Sequence, residues 1–206
     1  MDRPPFGGVW QAADAGKLSL LSHGQGGAEP RFATEFRCLW DDDCLYVAFN
    51  CAADDVWATL TQRDEALWNE PVVEVFLDPL GEGKSFFEFQ TNPLGAIYDS
   101  YVSDASQSDD WRKWRQWNCA GLKTVVFVDG GLSTPYRGSG WSALFTVPLA
   151  SLEEACGRRP EAGAVWRANF ARYDYRRECP RPELTCWAPV VDRFDDLGRF
   201  GSITFI

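Results

Sequence analysis

The 206-residue chain contains a single histidine, His23, and a single methionine, the initiator Met1. A Ser-His-Asp or Cys-His catalytic site would have to be built on His23, which sits in a glycine-rich stretch with no nucleophile motif to serve it. The seven cysteines (Cys38, Cys44, Cys51, Cys119, Cys156, Cys179, Cys186) form no Cys-x-x-Cys pair, which removes zinc-ribbon and thioredoxin-type readings. Their odd number leaves at least one without an intrachain partner and points towards a reducing, cytoplasmic compartment. No apolar run reaches the roughly 18 residues of a transmembrane helix. The opening residues, Met1-Asp2-Arg3-Pro4-Pro5, lack the apolar stretch of a secretory signal. Basic residues are outnumbered, 20 Lys and Arg against 30 Asp and Glu, for a formal net charge of −10. Such a surface repels phosphate backbones and anionic lipid, so neither nucleic acid nor membrane is an expected partner.

Aromatic residues are abundant. They make up 15% of the chain and include ten tryptophans, within a hydrophobic content of 45%. A sizeable core can form. Each large aromatic buries roughly 150–250 Å². A two-layer sandwich has limited room for ten, so some tryptophans belong at a rim or in a site.

The most informative stretch runs from Trp68 to Asn92. Two apolar-rich runs, ending in Asp78 and beginning near Phe86, flank a turn that holds Pro79, Gly81 and Gly83. That is a hairpin signature. Alternate residues of a strand face opposite ways. Val73, Val75, Leu77, Phe87 and Phe89 therefore define an apolar face. Glu74, Glu88, Gln90 and Asn92 share the other face with Val72, Phe76 and Phe86. A flat aromatic, Trp68, precedes this mixed face. An aromatic beside a row of acceptors and amides suits a polyhydroxyl compound, whose C–H face stacks on a ring while its hydroxyls bond at the edge.

The rest of the chain alternates strands and turns. Residues 33–40 and 44–51 form a hairpin about Asp41-Asp42-Asp43. Further strands are expected near 18–21 and over 96–102, 122–128, 140–147, 165–174 and 200–206, with a short one at 184–187. Residues 148–155 read as one short helix with Pro148 in its first turn. Residues 103–110 and the proline-containing 176–183 read as loops. About ten short strands with one short helix predict an all-β fold, an antiparallel β-sandwich forming a single domain over 1–206.

The order of motifs resembles the family 9 carbohydrate-binding modules and their DOMON-like relatives. The matching pieces are residues 39–49, 68–78, 87–92, Gly140-Trp141 leading to 147–152, 166–174, Cys186-Trp187-Ala188-Pro189 and Arg199-Phe200-Gly201. The resemblance implies non-catalytic binding of a mono- or oligosaccharide, often a chain end, in the service of carbohydrate breakdown. It implies a clamp between two tryptophans, which by motif position are Trp68 and Trp187, with Glu74 as an acceptor. Gln90 stands where the family carries an arginine, with Asn92 two residues on. An amide cannot supply the forked cationic grip of a guanidinium. No cofactor is required. The family often carries structural calcium, for which Asp41, Asp43 and Asp78 are the candidates. Haem, used by some DOMON relatives, needs axial His or Met ligands that His23 and Met1 alone do not provide.

Other groupings have blander readings. Glu74 and Glu88 could form a glycosidase acid pair, or simply lie on the wet face of an antiparallel sheet. Arg172 and Asp174 share parity, so they either line the site or pair with each other. Trp111, Trp114 and Trp117, interleaved with Arg112, Lys113 and Arg115, carry a single-stranded nucleic-acid pattern that the net charge opposes. Packing of a short helix or an irregular strand over the sandwich accounts for them. A structural or adhesion sandwich with a lapsed sugar site is the remaining alternative.

Overall fold

In the computed structural model the described residues are 8–20, 29–106, 111–132 and 140–206. His23 lies outside them. They form two antiparallel sheets facing each other, the expected β-sandwich. The first sheet holds β1 (Ala15–Lys17), β3 (Thr34–Trp40), β4 (Cys44–Ala52), β9 (Gly140–Pro148) and β8 (Lys123–Val128), in that spatial order. The second has the order β2 (Ser19–Leu20), β11 (Cys179–Cys186), β10 (Val165–Arg176), β5 (Val72–Asp78), β6 (Phe86–Thr91), β7 (Ile97–Val102). Strand β12 (Gly201–Thr204) continues the edge of β10 beyond β11.

The apolar parity of the central hairpin faces the first sheet. Val73, Val75, Leu77, Phe87 and Phe89 are fully buried with Phe49, Trp141, Phe145 and Phe170 in one inter-sheet cluster. Phe36 stacks on Phe170 at 3.9 Å between ring centroids. Each such side chain contributes about 1.5–3 kcal/mol by leaving water.

The opposite face of β5 and β6 is not wet, contrary to the solvated-face reading. Every residue of β5 is buried. Residues 188–200 fold back over this face and bury Phe76 and Phe86 against Val190, Phe194, Leu197 and Phe200. Outward-facing polar side chains of β10 hold the covering segment. Asn169 Nδ2 donates to the Phe194 carbonyl at 2.8 Å, and its Oδ1 accepts from the Ala188 amide at 2.9 Å. Arg167 donates to the Phe200 carbonyl through Nε and Nη2. A buried face needs such anchors, because the covering loop's own backbone groups must find partners.

Two local readings change. Residues 179–183, expected as loop, belong to β11. Its two prolines are tolerated because β2 pairs only with Thr185 and Cys186, so the outer edge of residues 179–184 carries no ladder among the described residues. The tryptophan stripe splits. Trp111 and Trp114 bound the short helix α1 (Trp111–Trp114) on the outer face of the second sheet. Trp117 instead packs on Phe87, Phe89 and Tyr101 in the inter-sheet core. The expected helix forms as α2 (Leu149–Cys156), closed by Gly157 in the left-handed region at φ 71°. Among the described residues no helix is long and apolar enough to cross a membrane.

Candidate functional site

The covering segment leaves a cavity of about 270 Å³ between itself and the sheet. Its floor comes from alternate residues of three strands: Glu74 and Phe76 on β5, Glu88 and Gln90 on β6, Tyr98 on β7. Trp68, Trp111, Trp114 and residues Asp192 to Asp195 also line the cavity.

Trp68 stands on a 3-10 turn, Leu67–Asn69. Buried Glu70 fixes that turn by accepting from the Thr59 and Leu60 amides. The Trp68 ring meets Trp111 edge-on at 4.9 Å and Tyr98 edge-on at 5.6 Å. Arg112 and Arg115 lie over the Trp111 ring, and Arg115 also donates to the Asp64 carbonyl at 2.7 Å. The loop carrying Trp68 and the helix carrying Trp111 are thereby joined.

The floor is rich in acceptors. Glu74 faces Gln90 across the β5–β6 ladder. Gln90 Nε2 donates to Glu88 Oε1 at 2.6 Å, and its own Oε1 is buried without a partner. Burial pushes the Glu74 carboxyl well above its usual range, and Glu88 and Asp195 push it further. Burial raises Glu88 to about 7 with help from Asp195, while the Gln90 hydrogen bond and Arg193 pull the other way. Arg193 forms a forked pair with Asp195 at 2.9 and 2.7 Å. A second cavity of about 440 Å³ adjoins the first and shares Trp114, Asp192, Arg193 and Asp195 with it.

The structure brings Trp68, Glu74 and Gln90 together. The other expected residues lie elsewhere. Trp187 sits on the inner face of the second sheet, 5.6 Å from both Phe36 and Phe170. Its ring covers Gly201, where a Cβ would come within 2.4 Å of it. The Trp68–Trp187 clamp is thus not assembled: Cys186 faces the covering segment, and the next residue along the chain takes the opposite side. Arg172 is buried between the sheets. It donates to Thr34 Oγ1 and the Ala52 carbonyl, both at 2.9 Å, and pairs with Asp174 at 2.7 Å. Asn92 is spent on its turn, donating to the Leu60 carbonyl and accepting from the Leu94 and Ala96 amides.

Two of the calcium candidates, Asp41 and Asp78, are also occupied by turns. Asp41 accepts from the Asp43 and Cys44 amides and the Tyr46 hydroxyl, and those bonds hold its carboxyl below the usual range. Asp78 accepts from the Gly81 and Gly83 amides. No cluster of three metal-ligating side chains occurs among the described residues.

Residues 6–123 match the model of the carbohydrate family 9 binding domain-like family. The chain belongs to this family. The family 9 match takes in Trp68, Glu74, Glu88 and Gln90 and ends before Arg172, Trp187 and Arg193. Solved structures share the fold. A candidate carbohydrate-binding protein of Bacteroides uniformis superposes with a TM-score of 0.69 at 15% identity, covering 95% of this chain and 88% of its own. A family 9 module of Caldicellulosiruptor kristjanssonii in complex with cellotriose gives 0.65 at 13% identity, covering 97% and 85%. The structure of a family 9 module from the same organism with glucose gives 0.60 at 13%, covering 97% and 87%. At these identities the likeness is one of fold. Curated proteins return no match.

Sequence reasoning missed the covering segment and with it Asp192, Arg193 and Asp195. The alternation of Val190 and Phe194 with charged residues was the available signal.

Proposed function

We propose that this chain is a non-catalytic carbohydrate-binding domain that takes a mono- or oligosaccharide in the cavity beside Trp68. Family membership supports the ligand class, as do the complexes of similar modules with cellotriose and glucose. The observation that carries the reading is the meeting of Trp68 with Glu74 and Gln90 in one cavity. A ring offers its face to the C–H side of a pyranose, and the acceptors take its hydroxyls. In this reading the second ring of the clamp is Trp114, which borders both cavities, in the role expected of Trp187.

The test is a glycan array followed by titration of tryptophan fluorescence. Saccharide-dependent quenching that is lost in Trp68→Ala is the expected result. No hit on the array overturns the proposal. Turnover of aryl glycosides that disappears in both Glu74→Gln and Glu88→Gln would replace binding by hydrolysis.

A further inference from the structure

We infer that the saccharide bound here carries a protonated amine, so that the preferred ligand is a free amino sugar rather than a neutral or acidic one. This rests on the carbohydrate reading and adds the charge of the ligand. The ground is a count of donors and acceptors. Gln90 is 1% exposed, and one N–H of its amide nitrogen is committed to Glu88 while its Oε1 has no partner. Glu74 is 2% exposed, and no hydrogen bond from a described residue reaches it. Four carboxyls line the cavity, Glu74, Glu88, Asp192 and Asp195. The one guanidinium among them, Arg193, is forked onto Asp195.

A hydroxyl brings one donor and also lone pairs, for which this floor offers the Tyr98 hydroxyl and whichever glutamate holds a proton. An ammonium brings three donors and no acceptor. It matches Glu74, Glu88 and Gln90 Oε1 without leaving a polar group of its own unmet. Buried Glu74 and half-buried Glu88 disfavour each other's ionised form, and a cation between them restores it. Trp68 and Trp114 add ring faces that attract a cation. A carboxylate-bearing sugar meets repulsion from Glu74 and Glu88. The net charge of −10 favours the approach of a cation from a distance.

Calorimetry on the full chain tests this with glucosamine, glucose, N-acetylglucosamine and glucuronic acid, and with chitosan and cellulose oligomers of equal length. The amine-bearing ligands should bind about tenfold tighter than their neutral counterparts. At about pH 6, where burial that raises Glu88 to about 7 keeps it protonated, their binding should also release protons. That release appears as a heat that changes with buffer ionisation enthalpy. Glu74→Gln and Glu88→Gln, checked for folding by circular dichroism, should each reduce the preference towards unity. Glucose bound as tightly as glucosamine overturns the inference and leaves the carbohydrate reading standing. Amine preference without proton release also overturns it, and that measurement needs no variant to fold. Binding of no saccharide of either kind overturns both readings.

Discussion

Glu74 stands directly across the β5–β6 ladder from Gln90, yet the Gln90 amide nitrogen donates along its own strand to Glu88. Among the described residues no donor reaches buried Glu74, which lies beside a second, half-buried glutamate. Buried polar groups are otherwise satisfied with few exceptions. A departure of this kind, inside a cavity, is where a binding site is to be sought.

Stability should fall as pH rises across this site. Both glutamates hold their protons to higher pH in the folded chain than in the unfolded one, where the value is near 4.5. Between about 4.5 and about 7 the native state binds more protons, so the slope of unfolding free energy against pH is negative. The contribution is complete below 4.5 and is lost as pH passes about 7. Glu88→Gln removes its share and should gain about 1–2 kcal/mol over the parent at alkaline pH. Urea titrations at acid and alkaline pH measure it, and an unchanged slope in the variant contradicts the assignment.

The two tryptophans once expected to act together should separate experimentally. Trp68→Ala should weaken saccharide binding by about tenfold or more, with little loss of stability. Trp187→Ala should leave a cavity against Phe36 and Phe170 and cost about 3 kcal/mol in urea, with affinity per folded molecule unchanged. The opposite assignment of effects would return Trp187 to the site.

Arg172 is predicted to act on folding alone. Arg172→Ala strands Asp174 between the sheets and should cost about 3–5 kcal/mol. Replacing both partners by apolar residues, Arg172→Met with Asp174→Leu, should recover much of that. A double-mutant cycle in denaturant reads the difference.

Trp114 borders both cavities, so chain length should matter to it. Affinity for oligosaccharides of two or more units should drop several-fold in Trp114→Ala, more than affinity for the monosaccharide. Equal losses for both would confine the ligand to the smaller cavity.

Much of this was legible in the residues. Val73, Val75 and Leu77 against Glu74 and Asp78 is a period of two, and a strand with that pattern has only one way to face a core. The turns behaved likewise: Asp41 and Asp78 close their loops through side-chain bonds to amides three or fewer residues beyond, or five at Gly83. The failures were of a different kind. Trp187 has the motif position of a site residue in the family resemblance, but one step of strand parity puts it under Gly201. Asn92 and Arg172 have the chemistry of ligand contacts, but backbone carbonyls and Asp174 claim them first.

The sequence by itself determined most of the strands, their inward faces and the family, because side-chain alternation and turn chemistry act over a few residues. Only the tertiary structure decided which polar residues share a cavity. Asn169 and Arg167 tie residues 188–200 over β5 and β6, and that tie brings Asp192 and Arg193 to Glu74, more than a hundred positions away along the chain. Contacts at such separation depend on the path of a loop, which no local period encodes.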